Sequence, residues 1–197
     1  MWIENQFYHL KINNMQLILI IGILVLILFY FVSIYNRLVK FRTMVSEGWS
    51  GIDVQLKKRH DLIPNLLEAV KGYMGYEQET LKQVIEARNT AVNAKGIADQ
   101  SQAENQLQGA LGKIFALAEQ YPDLKASNNF IQLQDTLKEV EGNIEQSRRY
   151  YNGTVRELNT LVDSFPSNLV ANQFQFAKAE FFELDDTTDR EVPKISF

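Results

Sequence analysis

Hydrophobic residues are unevenly distributed along the chain, and the densest run lies near its beginning. The 18 residues from Leu17 to Ile34 carry no charge, and 15 of them are Leu, Ile, Val or Phe. This run is close to the ~20 apolar residues that a helix needs to cross a membrane. Because each of these 15 residues favours insertion by roughly 0.3 to 0.6 kcal/mol, together they favour it by about 5 to 9 kcal/mol. The pattern predicts a transmembrane helix over residues 17–34, after a short tail over residues 1–16.

A cleaved signal peptide is the alternative interpretation of this segment. The apolar run is longer than the ~7 to 15 residues of a signal-peptide core, and no small-residue cleavage site follows it. The next residues are Tyr35, Asn36 and Arg37. We therefore favour an uncleaved anchor. Translation begins either at Met1 or at Met15, and the sequence leaves that choice open.

After the span, apolar residues recur at alternating steps of three and four, which is the pattern of a helix packed against other helices. The first such run comprises Val45, Trp49, Ile52, Leu56, Ile63, Leu66, Val70 and Tyr73. Arg59 occupies one slot of this seam. No helix breaker separates Ile34 from Leu38, so the membrane helix is predicted to continue into this run. Pro64 lacks an N–H, so we expect a kink or a restart near His60 and Asp61.

Three further long helices are predicted. The second runs over about residues 77–94, and the third begins at Ser101, where Ser101 and Glu104 have the spacing of a capping box. The fourth, over residues 130–165, has the clearest heptad pattern and ends before Pro166. The fold class is therefore all-α: a transmembrane helix that continues into an elongated antiparallel bundle of about four long helices, over residues 35–197.

The end of the chain has a different character. Residues 167–182 predict a short helix whose aromatic residues cap one end of the bundle. The acidic stretch Asp185–Asp189 has the composition of a turn, and Val192–Phe197 is predicted to lie as an extended strip on the bundle.

Composition limits the chemistry. A net charge of −4 argues against a nucleic-acid-binding domain, and the absence of cysteine excludes disulfides, thiolate metal sites and cysteine nucleophiles. His60 is the only histidine after the span; beside Asp61 it forms an unconvincing catalytic pair, and we expect it to face water. No phosphate-binding loop or hydrolase motif is present. We therefore predict no catalytic, cofactor-binding or metal-binding residues and no enzymatic activity.

Other charged and aromatic groups have structural explanations. A solvated face or a partner contact is favoured for Lys57-Lys58-Arg59, and a solvated face for Glu139, Glu141 and Glu145. Trp49 and the pair Tyr150-Tyr151 are interpreted as core anchors.

Basic residues directly after the span set the expected orientation. Arg37, Lys40 and Arg42 follow it closely, whereas Lys11 is the only basic residue before it. The positive-inside rule then places the N-terminus outside and the bundle in the cytoplasm. Arg37, Lys40 and Arg42 are our candidate contacts with lipid headgroups.

Several motifs, in order along the chain, resemble those of the LemA family of bacterial membrane proteins. They are Tyr35-Asn36-Arg37-Leu38-Val39, the run from Trp49 to Leu66, Val70-Lys71-Gly72-Tyr73, Tyr121-Pro122-Asp123-Leu124-Lys125, Tyr151-Asn152, Phe165-Pro166, Phe181-Phe182-Glu183 and the ending Val192–Phe197. The chain departs from the family pattern at Tyr76, where His is common, and at Gln175-Phe176, where Gly-Phe is usual.

The resemblance implies one N-terminal membrane helix and a bundle of long helices, but it supplies no reaction. It also implies an association with membrane-bound zinc peptidases of the HtpX type, and so a role in envelope maintenance. We expect a non-enzymatic scaffold at the bacterial inner membrane, acting through a homo-oligomer or a membrane partner. A sensor or ligand-binding bundle is one alternative. Membrane shaping, implied by magnetosome proteins similar to LemA, is another.

Overall fold

The computed structural model describes residues 2–73 and 77–184, with side-chain surroundings from residue 15 onward. Helices dominate these residues and no strand occurs among them, so the predicted all-α class is confirmed. In chain order the helices are α1 (Trp2–Lys71), α2 (Gln78–Asn93), α3 (Ile97–Ala118), α4 (Pro122–Lys125), α5 (Asn128–Asp163) and α6 (Ser167–Gln173). The predicted acidic turn and closing strip, over residues 185–197, lie outside the described residues, as does Tyr76.

The chain divides into two compact units. The first combines Met1–Thr43 with Arg156–Lys178, and the second combines Met44–Val155 with Ala179–Phe197. Helices α1 and α5 contribute residues to both units.

The apolar segment of the first unit is exposed. From Leu17 to Val32 each large hydrophobic side chain of α1 is open to the surroundings. Within the described residues, one helix is long and apolar enough to cross a membrane, and this segment gives it that property. A continuous apolar surface of this length is unusual on a protein that is surrounded by water.

Helix α1 runs through Pro64, so the predicted restart was wrong. Proline has no N–H, which leaves the carbonyl of His60, four residues earlier, without its helical donor. Nε of Arg88, on α2, donates to that carbonyl over 2.8 Å. A side chain from a neighbouring helix thus replaces the missing backbone bond, and α1 continues to Lys71, where it ends before Gly72.

The second unit holds two hydrophobic clusters along the predicted seam of α1. One contains Ile52, Leu56, Val140, Ile144, Tyr151, Val155 and Phe182. The other contains Ile63, Leu66 and Val70 with apolar residues of α2 to α5. Gly48 allows α1 to approach α5 closely, because a Cβ there would lie 3.2 Å from Cα of Tyr151.

Helix α3 begins four residues before its predicted start. Gly96 precedes it with φ +85°, a conformation that favours glycine, and the first helical residue is Ile97. The predicted capping box at Ser101 is therefore wrong. Ser101 lies inside the helix, and its hydroxyl donates to the backbone carbonyl of Glu183.

The segment after α6 is held to α5 through its backbone. Nδ2 of Asn152 donates to the carbonyl of Phe182 over 2.9 Å, and Oδ1 of Asn152 accepts from the N–H of Phe182 over 3.0 Å. The Tyr151 hydroxyl donates to the carbonyl of Glu180 over 2.8 Å. The Asn152 amide thus bonds both backbone groups of Phe182, as a neighbouring strand would. The buried ring of Phe182 also packs against this part of the unit.

Helix α6 ends in a left-handed residue that is not glycine. Gln175 has φ +56°. The N–H of Phe176 donates to the carbonyl of Ala171 over 2.9 Å, and the N–H of Gln175 donates to that of Asn172 over 3.4 Å. These two bonds form a Schellman motif, in which Gln175 occupies the position that glycine usually takes.

Candidate functional site

A buried charged group interrupts the apolar seam of α1 between the two clusters. Arg59 lies between Leu56 and Ile63 and is fully buried. Its Nη1 donates to Oε1 of Glu141, on α5, over 2.6 Å, and its Nη2 donates to Oε2 of Glu104, on α3. A single guanidinium thus connects three helices of the second unit.

Glu104 is the centre of this group and is also fully buried. Besides Arg59, it contacts His60 and Gln100: Oε1 lies 2.8 Å from Nε2 of His60 and accepts from Nε2 of Gln100 over 2.7 Å. Both carboxylate oxygens therefore have partners. We call Arg59, His60, Gln100, Glu104 and Glu141 the buried polar network.

The electrostatics of the network favour the charged forms of Arg59 and Glu104. Burial by itself would lower the pKa of Arg59, but the carboxylates of Glu141 and Glu104 outweigh it and raise that pKa. Burial would likewise raise the pKa of Glu104, but the hydrogen bond from His60 and the charge of Arg59 lower it. A carboxylate with a lowered pKa and several donors is a poor general base.

A groove lies beside the network. It has a volume of about 250 Å³ and includes side chains of His60, Arg88 and Gln100 in its lining. His60 is only 7% exposed, so the groove reaches the edge of the network and not its centre. No group of three or more potential metal ligands occurs among the residues that the structure describes.

The network was missed by sequence reasoning in three respects. His60 was expected to face water and is buried. The run Lys57-Lys58-Arg59 was interpreted as solvated or partner-contacting, and that is wrong for Arg59, although Lys57 and Lys58 are exposed. Glu141 was assigned to a solvated face, but it is half-buried and paired with Arg59. The available signal was the heptad slot at Arg59, since a residue at a seam position faces the core whatever its charge.

The candidate headgroup contacts lie in the first unit, and all three are exposed. The guanidinium of Arg37 lies 5.8 Å from the ring centroid of Phe41, and that of Arg42 lies 5.0 Å from the ring centroid of Phe176. These stacked arrangements hold two of the cations near the end of the apolar segment. Lys40 projects from the same stretch of α1. Contact of Arg37, Lys40 and Arg42 with lipid stays a prediction.

The predicted aromatic anchors are partly confirmed. Tyr151 is buried, and Trp49 packs against it and against Phe182, with ring centroids 5.7 and 5.5 Å apart. Burial raises the pKa of Tyr151 to about 12. Tyr150, by contrast, is 48% exposed, so its assignment to the core was wrong.

The second unit is all-α and its helices are joined by the buried polar network. Together with the exposed apolar segment of α1, this architecture defines a helical protein of the membrane-associated class. The sequence model of the LemA family matches residues 48–197. The chain therefore belongs to the LemA family, as the motifs indicated.

Similar proteins include one named LemA and magnetosome proteins named MamQ. Protein LemA of Metamycoplasma hominis is 27% identical over 170 residues, which cover 83% of this chain and 76% of that protein. Magnetosome protein MamQ of Magnetospirillum gryphiswaldense is 23% identical over 195 residues, which cover 85% of this chain and 72% of that protein. Magnetosome protein MamQ 2 of Paramagnetospirillum magneticum is 23% identical, and the match covers 64% of its length.

Proposed function

We propose that this protein is a non-enzymatic, single-pass scaffold at the bacterial inner membrane. The apolar part of α1 anchors it, the N-terminus lies outside and the second unit lies in the cytoplasm. There the helical unit holds a second copy of the chain or a membrane partner. A zinc peptidase of the HtpX type is the partner that the family resemblance implies, and envelope maintenance is the corresponding role.

The observation that carries the proposal is the mutual pairing of the charged groups in the buried polar network. The groups best suited to chemistry, Glu104 and His60, pair with each other and with Arg59. Their geometry suits the joining of three helices better than it suits catalysis. A buried ion pair of this kind also favours one helix register over others, which is useful in a protein that must present a fixed surface.

Photo-cross-linking in intact cells tests the scaffold role. A photoreactive amino acid replaces Ile85 or Val92, two exposed apolar residues of the second unit. We expect discrete adducts whose mass identifies either a second copy or one membrane protein. The matched control is the same probe at Glu79, which is an exposed polar position. A chain that stays monomeric at every position, and in detergent by light scattering, would contradict the proposal.

A ligand-sensing role is the second candidate, and the groove beside His60 favours it. Its lining includes Asp53, Lys57 and Arg88, so polar groups of both signs surround the opening. A thermal-shift screen of small polar metabolites tests this role. Stabilisation that is lost in Lys57→Met and retained in Lys113→Met would support a ligand site there.

A further inference from the structure

A patch of large apolar side chains is exposed around the short helix α6. Phe165 is 78% exposed, Leu169 52% and Phe174 57%, whereas Val170 and Ala171 on the inner side of the helix are buried. On its outer side the helix exposes Leu169 together with Asn172 and Gln173, and the exposed rings of Phe165 and Phe174 flank the helix in sequence. We call Phe165, Leu169 and Phe174 the α6 patch.

Contacts within the first unit fix the level of Phe174, one residue of this patch, along α1. The ring of Phe174 packs edge-on against Tyr35, with centroids 4.8 Å apart, and the ring of Phe176 contacts the same tyrosine at 5.8 Å. Tyr35 directly follows Ile34, the last residue of the apolar segment. The patch therefore begins where the membrane-spanning part of α1 ends.

The length of the apolar segment places that level at the edge of a bilayer. Residues 17–34 span about 27 Å at 1.5 Å per residue, which is close to the ~30 Å hydrocarbon thickness of a membrane. A side chain that touches Tyr35 then lies at the boundary between acyl chains and headgroups. Aromatic residues accumulate at that boundary in membrane proteins.

We propose that the α6 patch inserts into the surface of the bilayer that α1 spans, as a second membrane contact of the chain. The inference rests on the proposed anchor and adds a contact some 130 residues away in sequence. Two observations favour lipid as the occupant. The patch is continuous with the apolar segment through Tyr35, and exposed cations of the same unit, Arg37, Lys40 and Arg42, lie just beyond that tyrosine along α1. An apolar face bordered by basic residues suits the surface of an anionic membrane.

Single cysteines report the surroundings of the patch directly, because the chain has no cysteine of its own. The full chain carrying Leu169→Cys is labelled with bimane and reconstituted into vesicles of phosphatidylcholine and phosphatidylglycerol. A fraction of the phosphatidylcholine carries a doxyl quencher at carbon 5. We expect at least twofold quenching of the Leu169→Cys probe by this lipid and weak quenching by aqueous iodide. Phe165→Cys should behave in the same way.

Two matched positions complete the design. Ile131→Cys carries the probe at a similarly exposed apolar residue of the second unit, and it should respond to iodide and not to the doxyl lipid. Leu28→Cys carries the probe within the apolar segment, and it should be quenched by the lipid.

Three outcomes would overturn the inference. If the Leu169 and Phe165 probes behave like the Ile131 probe while the Leu28 probe is quenched by lipid, the patch faces water and the anchor stands. If the patch probes are shielded from both quenchers and two labelled chains show probe-to-probe contact, a second copy covers the patch. If the Leu28 probe also escapes the lipid quencher, the proposed anchor itself fails.

Discussion

At the scale of single residues, this protein places charge and backbone strain where sequence rules discourage them. Glu104 is a fully buried carboxylate, and Gln175 holds a left-handed conformation that favours glycine. Each departure has a local compensation. Glu104 is compensated by charge pairing with Arg59 and by a hydrogen bond with His60. Gln175 is compensated by the two backbone hydrogen bonds that close α6.

Replacement of Glu104 by glutamine should destabilise the fold by about 3 to 5 kcal/mol at pH 7, the usual cost of removing one partner from a buried ion pair. Because the folded pKa of Glu104 is lowered, its contribution is complete above the unfolded pKa of about 4.3 and is lost as the pH falls through the folded pKa. The difference in the free energy of unfolding between wild type and Glu104→Gln should therefore become smaller at acid pH.

Urea unfolding from pH 7 down to pH 3, followed by circular dichroism, measures this effect. Glu86→Gln is the control, since Glu86 forms an exposed pair with Lys82. It should change stability by less than about 1 kcal/mol at any pH. A stability difference between wild type and Glu104→Gln that stays constant from pH 7 to pH 3 would contradict the expectation.

Replacement of Gln175 by glycine should stabilise the first unit by about 1 kcal/mol, because a left-handed residue with a Cβ costs roughly 1 to 2 kcal/mol. Gln173→Gly, at the last residue of α6, should instead lower stability by up to about 1 kcal/mol. Thermal unfolding in detergent micelles compares the two variants. Equal shifts in the same direction would show that the φ of Gln175 carries no strain.

At the scale of elements, α1 shows how a helix accommodates a proline. Pro64 removes the donor for the His60 carbonyl, and Arg88 supplies another from α2. The bond therefore joins two helices at the point where one of them is weakest. It also fixes the backbone of His60, whose side chain belongs to the buried polar network.

A double-mutant cycle tests this compensation. Arg88→Met leaves the His60 carbonyl without a donor and should cost about 1 to 3 kcal/mol. In a Pro64→Ala background the alanine N–H bonds to the carbonyl, so the same substitution should cost less by about 1 kcal/mol. Chemical unfolding of wild type, the two single variants and the double variant gives the coupling free energy between Pro64 and Arg88. Additive effects would mean that Arg88 does not replace the proline bond.

The elements also show what the sequence can and cannot reveal. The heptad steps predicted α2 and α5 to within about two residues, because apolar residues recur at helical spacing along most of both helices. Passage through Pro64 was missed because it depends on a bond from Arg88 of another helix, which local patterns do not encode. The start of α3 at Ile97 was missed although Gly96 directly precedes it. The seam position of Arg59 was visible, but its partners Glu104 and Glu141 come from helices distant in sequence.

At the scale of the whole molecule, the proposed membrane attachment depends on the exposed segment of α1. Leu24→Arg combined with Ile27→Arg places two charges near its centre, each costing about 2.5 to 3.5 kcal/mol on insertion. The summed cost of the two arginines is comparable to the free energy by which the whole apolar segment favours insertion. We expect this variant to leave the membrane fraction after carbonate extraction, whereas Val54→Arg combined with Ile131→Arg, two exposed positions outside the segment, should remain. Retention of the first variant would contradict the assigned span.

The pairing of Asn152 with Phe182 has a consequence for mutational tolerance. The Asn152 amide bonds only the main-chain N–H and carbonyl of residue 182. Every residue type except proline has both of these groups. Exposed neighbours such as Phe181 and Glu183 can therefore be exchanged or chemically tagged without releasing the segment. Position 182 alone must keep a bulky ring to fill the space beside Trp49.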